Sequence, residues 1–152
     1  MARRIMLNGT SYFGQGAIQE IVNEIKNRHF KKVLVTSTPD LFEFKVATKV
    51  TDLLDAAGIA YDVYDNIKPN PTIENVTSGV AACKAAGAEA IVAVGGGSAI
   101  DTSKAIATIM TNPEFGDVRS LEGVAPTKHP CLPIIAVSTT SGTAAELSLI
   151  HI

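Results

Sequence analysis

Apolar residues recur along this chain in two rhythms that take turns. Ala17, Ile18, Ile21, Val22 and Ile25 fall at helical spacing with Gln, Glu, Asn and Lys between them, and predict an amphipathic helix ending near Arg28. Val33, Leu34, Val35 and Thr36 follow without polar alternation, the pattern of a short strand covered on both faces. Phe42, Val46, Val50, Leu53, Leu54 and Ala57 carry one further helix that opens at Pro39 and Asp40, and Gly58 ends it as a left-handed C-terminal glycine does. Residues 59–64 read as the next strand. A connection rich in Asn and Pro, 65–72, then leads into a helix with Ile73, Val76, Val80 and Cys83 inward and Gly87 at its end.

Residues 90–94, Ala-Ile-Val-Ala-Val, form the most buried-looking strand of the chain. Gly95-Gly96-Gly97-Ser98 breaks it, and a helix carrying Ile100, Ile106, Ala107 and Ile109 runs to about Thr111. A polar stretch, 112–130, precedes a last strand at 132–137 and the loop Ser138-Thr139-Thr140-Ser141-Gly142-Thr143. Strands alternating with helices of this length imply right-handed parallel βαβ units. The expected fold is therefore α/β, a Rossmann-like open parallel sheet with helices on both faces.

Composition narrows the partners. The chain has 152 residues, 46% of them hydrophobic, enough for one substantial core. Thirteen Lys and Arg stand against fifteen Asp and Glu, so no broad positive field draws it to nucleic acid or to an anionic membrane. The start lacks an apolar signal region and no stretch approaches the ~18 apolar residues of a spanning helix, which predicts a soluble cytoplasmic protein. Cys83 and Cys131 are too few for a disulfide framework and both read as small core residues. Asn8-Gly9-Thr10 and Asn75-Val76-Thr77 match a glycosylation pattern that has meaning only in a secreted chain.

The glycine run lies where open α/β sheets bind ligands, at the carboxyl end of a strand. Gly95, Gly96 and Gly97 carry no Cβ, so backbone N–H groups can approach a ligand closely. Ser98 and Asp101 have the spacing of a capping box, and the helix start behind them offers free amides to a pyrophosphate. The run is neither G-x-G-x-x-G nor a Walker loop, and by itself it also fits a plain tight turn. The hydroxyl-rich loop 138–143 and Asn70, held between Pro69 and Pro71, stand at two further strand ends.

Taken in order, several motifs resemble the nucleotide-binding domain of iron-containing (group III) alcohol dehydrogenases, nearest to the lactaldehyde reductase branch. They are the opening from Asn8 to Gly16 with Phe13-Gly14, Pro69-Asn70-Pro71-Thr72, Gly95-Gly96-Gly97-Ser98 followed by Asp101 and Lys104, Asn112-Pro113-Glu114-Phe115, and Thr139-Thr140-Ser141-Gly142-Thr143-Ala144-Ala145-Glu146. The resemblance implies a dinucleotide-binding domain over residues 1–146 that takes NAD or NADP. Gly96, Gly97 and Ser98 would hold the pyrophosphate, Asn70 would contact the adenosine side, and Thr139, Thr140 and Thr143 would line the pyrophosphate and nicotinamide end. Asp101 and Lys104 would act locally, as a cap and its i+3 neighbour, or reach the ribose. Where the branch has an Asp that accepts from the adenine ribose, this chain has Ser37-Thr38-Pro39. Thr38 leaves no carboxylate to repel a 2′-phosphate, so relaxed or NADP-leaning specificity is expected.

The same resemblance implies a small alcohol or aldehyde substrate, a possible homodimer, and a divalent metal, iron or zinc, held by one Asp and three His of a following helical domain. None of His29, His129 and His151 is expected to bind metal, and no catalytic residue is expected within this chain, because a metal site needs three or four converging ligands. Residues 147–152 depart from the family pattern and also read as one frame of a transposon-adapter end, so a non-native tail is expected there. Two other readings remain: a stand-alone dinucleotide- or phosphate-binding module without catalysis, and a relative of glycerol dehydrogenases or dehydroquinate synthases.

Overall fold

The computed structural model describes residues 9–122 and 125–145. Asn8, Glu146 and the suspected tail at 147–152 lie outside the described residues. After a 3-10 turn at Ala17–Gln19, the elements run α1 (Glu20–Asn27), β1 (Lys32–Thr36), α2 (Pro39–Glu43), α3 (Thr48–Ala57), β2 (Ala60–Tyr64), α4 (Ile73–Ala86), β3 (Ala90–Gly95), α5 (Gly97–Thr111) and β4 (Ile134–Ser138). All strand pairs are parallel, in the order β2-β1-β3-β4. The expected Rossmann-like α/β sheet is the observed one.

The two-residue period of the central strands divides the core in two. Val33, Val35, Ala90, Val92 and Val94 point to one face and pack with Ile21 and Ile25 of α1 and Val50 and Leu54 of α3. Leu34 and Ile91 point to the other and pack with Val76, Val80 and Cys83 of α4 and Ile106 and Ile109 of α5. Strands β1 and β3 are buried apart from the first residue of β1, as their unbroken apolar runs predicted. Strand β2 instead shows Ala60, Asp62 and Val63 to solvent and forms one edge of the sheet, where a Lys32–Asp62 ion pair at 2.9 Å ties it to β1.

Three local expectations are corrected. The single helix drawn from Pro39 to Ala57 is two, because Lys45 turns left-handed (φ 57°) and the amide of Val46 donates back to the carbonyl of Leu41 at 2.8 Å. That bond spans five residues and closes α2 as a Schellman-type end, here on Lys instead of Gly. The last strand starts at Ile134, not at 132, since the amide of Leu132 donates to Ala107 of α5 and Pro133 has no amide to give. Cys131 is exposed, whereas Cys83 is buried and its thiol is pushed up to about 11 by desolvation.

The segment before α1 is fastened from outside the core. The Tyr12 hydroxyl donates to Glu24 at 2.7 Å, and Arg28 pairs with the other carboxylate oxygen at 2.8 Å. The Tyr12 hydrogen bond, and then that of Arg28, hold the Glu24 carboxyl below its usual value. Among the described residues no helix is long and apolar enough to cross a membrane.

Candidate cofactor-binding site

The chain goes from β1 outward to β2 and then crosses back to β3, so the order of strands reverses between β1 and β3. In open sheets ligands settle in the crevice outside the carboxyl ends at that reversal. Gly95 ends β3 at φ 150°, a backbone region essentially closed to residues with a side chain. A Cβ there would lie 2.6 Å from the Cβ of Ala99 and 3.4 Å from Leu41 of α2. Only a bare residue lets the strand bend this sharply against the helix it feeds.

Helix α5 then starts at Gly97, with Gly96 as its N-cap and no side-chain cap. The amide of Ile100 is the first to find a carbonyl one turn back, that of Gly96 at 3.1 Å. The amides before it point out of the helix start, and the helix dipole adds partial positive charge there. The capping box expected from Ser98 and Asp101 does not form. Ser98 is already inside the first turn, its carbonyl accepting from Thr102 at 2.7 Å, and Asp101 is exposed beyond it.

The hydroxyl loop after β4 is brought onto this start. A Cβ on Gly96 would lie 2.7 Å from Thr140 Oγ1, and one on Gly97 would lie 3.2 Å from Thr143 Cγ2. The glycines are therefore bare in part so that two threonines can seat against them. The amide of Thr139 donates to the carbonyl of Gly95 at 3.0 Å, and Ser138 Oγ donates to the carbonyl of Thr140 at 2.9 Å. One helical turn further on, Ala145 is buried with Ile100 and Ala93, and Lys104 Nζ donates to its carbonyl. Gly97, Ile100 and Lys104 mark one stripe of α5 at i, i+3, i+7, and the loop runs along it.

Of the expected site residues, Thr140 seats at Gly96 and Thr143 at Gly97, and Thr139 and Ser98 adjoin these pairs in the chain. Thr38 is half-buried as the N-cap of α2, just past the end of β1. Asn70 is exposed and left-handed (φ 54°) in the connection past β2. Both stand on connections other than the glycine turn, at strand ends that share one edge of the sheet with it.

Two asparagines that the sequence showed only as members of motifs hold the frame. Asn75 is buried: its Oδ1 accepts from the amide of Thr72 at 3.2 Å and its Nδ2 donates to the carbonyl of Asn66 at 2.7 Å. Asn112, the first residue of the Asn-Pro-Glu-Phe motif, is also buried. Its Oδ1 accepts from the amides of Lys128 and His129 at 3.0 and 2.9 Å, while Nδ2 donates to the carbonyls of Thr108 and His129 at 3.1 and 2.9 Å. It pins the polar stretch to the end of α5. The residue type at the end of a helix, followed by Pro, was the available signal for such a clamp.

A shallow groove of about 310 Å³, lined by Val80, Ala81, Lys84, Ile109 and Pro113 among others, shares no residue with the strand-end site. Among the described residues no three His, Cys, Asp or Glu side chains converge as a metal site would require.

Over residues 8–152 the chain matches the model of the iron-containing alcohol dehydrogenases, and it belongs to that family. Lactaldehyde reductase of Escherichia coli (strain K12) is 47% identical over 152 residues, all of this chain and 40% of the relative. Alcohol dehydrogenase 4 of Saccharomyces cerevisiae (strain YJM789) is 40% identical over 138 residues, 91% of this chain and 36% of the relative. Among solved structures, an alcohol dehydrogenase from Oenococcus oeni superposes with a TM-score of 0.88 at 34% identity, covering 97% of this chain and 38% of that one. A 1,3-propanediol oxidoreductase gives 0.91 at 31% identity with the same coverage. The chain thus spans about two fifths of the length of these relatives.

Proposed function

We propose that this chain is the nicotinamide-dinucleotide-binding part of a metal-dependent alcohol dehydrogenase or aldehyde reductase acting on small alcohols or diols. The observation that carries the reading is the uncapped start of α5, roofed by the threonines of the β4 loop and set at the reversal of the strand order. Such a corner suits two linked phosphates, because several amides and a dipole end converge without a side chain in the way. Gly96, Gly97 and Ser98 offer the amides, and Thr139, Thr140 and Thr143 offer hydroxyls beside them. Thr38 and Asn70 face the adenosine side, and Asp101 stands within reach of a ribose one turn beyond the phosphates. A dinucleotide held by these residues would supply the hydride donor or acceptor for the substrate carbon, and the family's divalent metal, whose ligands are not among the residues here, would supply charge to polarise the substrate oxygen.

This chain's own work is to seat and orient the dinucleotide. The family resemblance assigns the metal ligands, and the substrate's second wall, to residues beyond those present. Accordingly the 152-residue chain binds the dinucleotide weakly and oxidises no alcohol by itself. Thr38 brings no negative charge to the adenine ribose, so NADPH binds at least as well as NADH.

Titration of the chain with NADH and NADPH, read by nucleotide fluorescence, tests affinity and preference, and an alcohol-oxidation assay of the same chain tests the third statement. Binding that is lost in Gly96→Ala, whose methyl would collide with Thr140, supports the site. A tenfold preference for NADH would reject the specificity reading, and alcohol oxidation by the chain alone would reject the division of labour. Binding of a lone phosphate or pyrophosphate but of no nicotinamide nucleotide would favour a module without catalysis.

A further inference from the structure

We propose that Ser37, with Thr36 beside it, is a positioning residue that holds the glycine turn in its ligand-binding shape; the role toward a dinucleotide rests on the reading just given. Thr36 ends β1 after the apolar run Val33, Leu34 and Val35, Ser37 follows it, and both side chains are fully buried. Buried hydroxyls without partners are costly, so their bonds report what they are for. Ser37 Oγ donates to the carbonyl of Val94 at 2.8 Å, and its amide donates to the carbonyl of Tyr64 at 3.1 Å. One residue therefore joins the ends of β2, β1 and β3 at the reversal of the strand order.

Thr36 secures the other side of the turn. Its Oγ1 lies 2.7 Å from Ser103 Oγ, and Ser103 Oγ lies 2.6 Å from the carbonyl of Ala99. The Ser103 hydroxyl has one proton and gives it to Ala99, so Thr36 is the donor to Ser103. Val94 precedes the glycines and Ala99 follows them, so the last residue of β1 and the residue after it clamp the turn before and after residues 95–98. Gly95 and Gly96 gain backbone freedom from having no side chain, and that freedom has to be removed again before their amides can converge. A lattice of three buried hydroxyls, those of Thr36, Ser37 and Ser103, is what removes it here.

The test compares Ser37→Ala, Ser37→Thr, Thr36→Val and the control Val50→Ala, a core truncation in α3 that removes no hydroxyl. Expected for Ser37→Ala is a rise of about fivefold in the dissociation constant of NADH or NADPH at a temperature where all variants are folded, the effect of one net hydrogen bond. Ser37→Thr restores the native value, Thr36→Val shows a smaller rise, and Val50→Ala lowers the melting temperature without changing affinity.

Hydrogen exchange supplies a readout that needs no ligand. The amides of Thr139 and Ile100 donate to the carbonyls of Gly95 and Gly96, and both exchange about tenfold faster in Ser37→Ala than in Val50→Ala. If Ser37→Ala does not fold, Ser37→Cys, which keeps the shape with a weak donor, carries the same comparison. Ser37→Ala following Val50→Ala in both affinity and exchange would overturn the proposal. Should the native chain bind neither nucleotide, the cofactor assignment fails, and the exchange rates alone uphold or overturn the clamp.

Discussion

Two helices begin at the carboxyl edge of the same sheet and treat their first amides in opposite ways. At α4, Asn75 sends its side chain back to the amide of Thr72, buries itself and ties down Asn66, so the helix start is satisfied from within. At α5 no side chain turns back, and threonines from a distant loop stand beside the open amides instead. A closed start contributes stability. An open one leaves hydrogen-bonding capacity for something that is not part of the chain, and in that respect the bare corner at α5 differs from an ordinary strand-to-helix turn.

The largest effect on this contrast is expected from Gly95→Ala. It forces a side chain into a backbone region with φ 150° and against Ala99, costing about 3 kcal/mol from strain and overpacking together, read as a lowered urea midpoint. An unchanged midpoint would mean that the corner can relax and is not built around a bare residue. Asn75→Ala comes next at about 2 kcal/mol, because one arm of the cap is lost and the carbonyl of Asn66 loses its donor. Dinucleotide affinity should change far less in Asn75→Ala than in Gly96→Ala; equal losses would erase the distinction between the two helix starts.

Lys104→Met releases the carbonyl of Ala145 and with it the far end of the threonine loop, at about 1.5 kcal/mol for a bond to a charged donor. Faster exchange of the Thr139 amide would accompany it, and no change there would show that Thr140 and Thr143 hold the loop unaided. The smallest effect sits beneath α4 and is silent at neutral pH. Burial raises the Cys83 thiol from 9.0 to about 11, so the folded state favours the neutral form. That contribution is complete below pH 9 and is lost as pH climbs toward 11, amounting to about 1 kcal/mol by pH 10. Stability of the native chain should fall more steeply over that range than that of Cys83→Ala, and parallel profiles would count against the burial effect.

The alternation of apolar runs was enough to predict strands, helices and the two-faced parallel sheet, since burial on both sides of β1 and β3 leaves no polar positions in the pattern. It failed at Lys45, where a left-handed turn closes α2 through backbone bonds that need no glycine. It failed again at Cys131, whose neighbours in sequence are apolar but whose place in space is exposed. Neither is visible to a periodicity, because the one is a matter of backbone geometry and the other of what packs alongside.

For the site, the sequence alone determined where the bare residues and the hydroxyls lie and, through the order of its motifs, the family to which they belong. Only the tertiary structure decided that Thr140 and Thr143 sit on Gly96 and Gly97, that Ser98 and Asp101 do not cap α5, and that Thr36 and Ser37 clamp the turn from the neighbouring strand. The physical reason is range. Helical and strand periods arise from bonds among near neighbours, whereas the threonine and serine contacts join residues some forty to seventy positions apart and form only once the parallel strands are in register. The missing cap is local and follows from α5 starting at Gly97, one residue before Ser98.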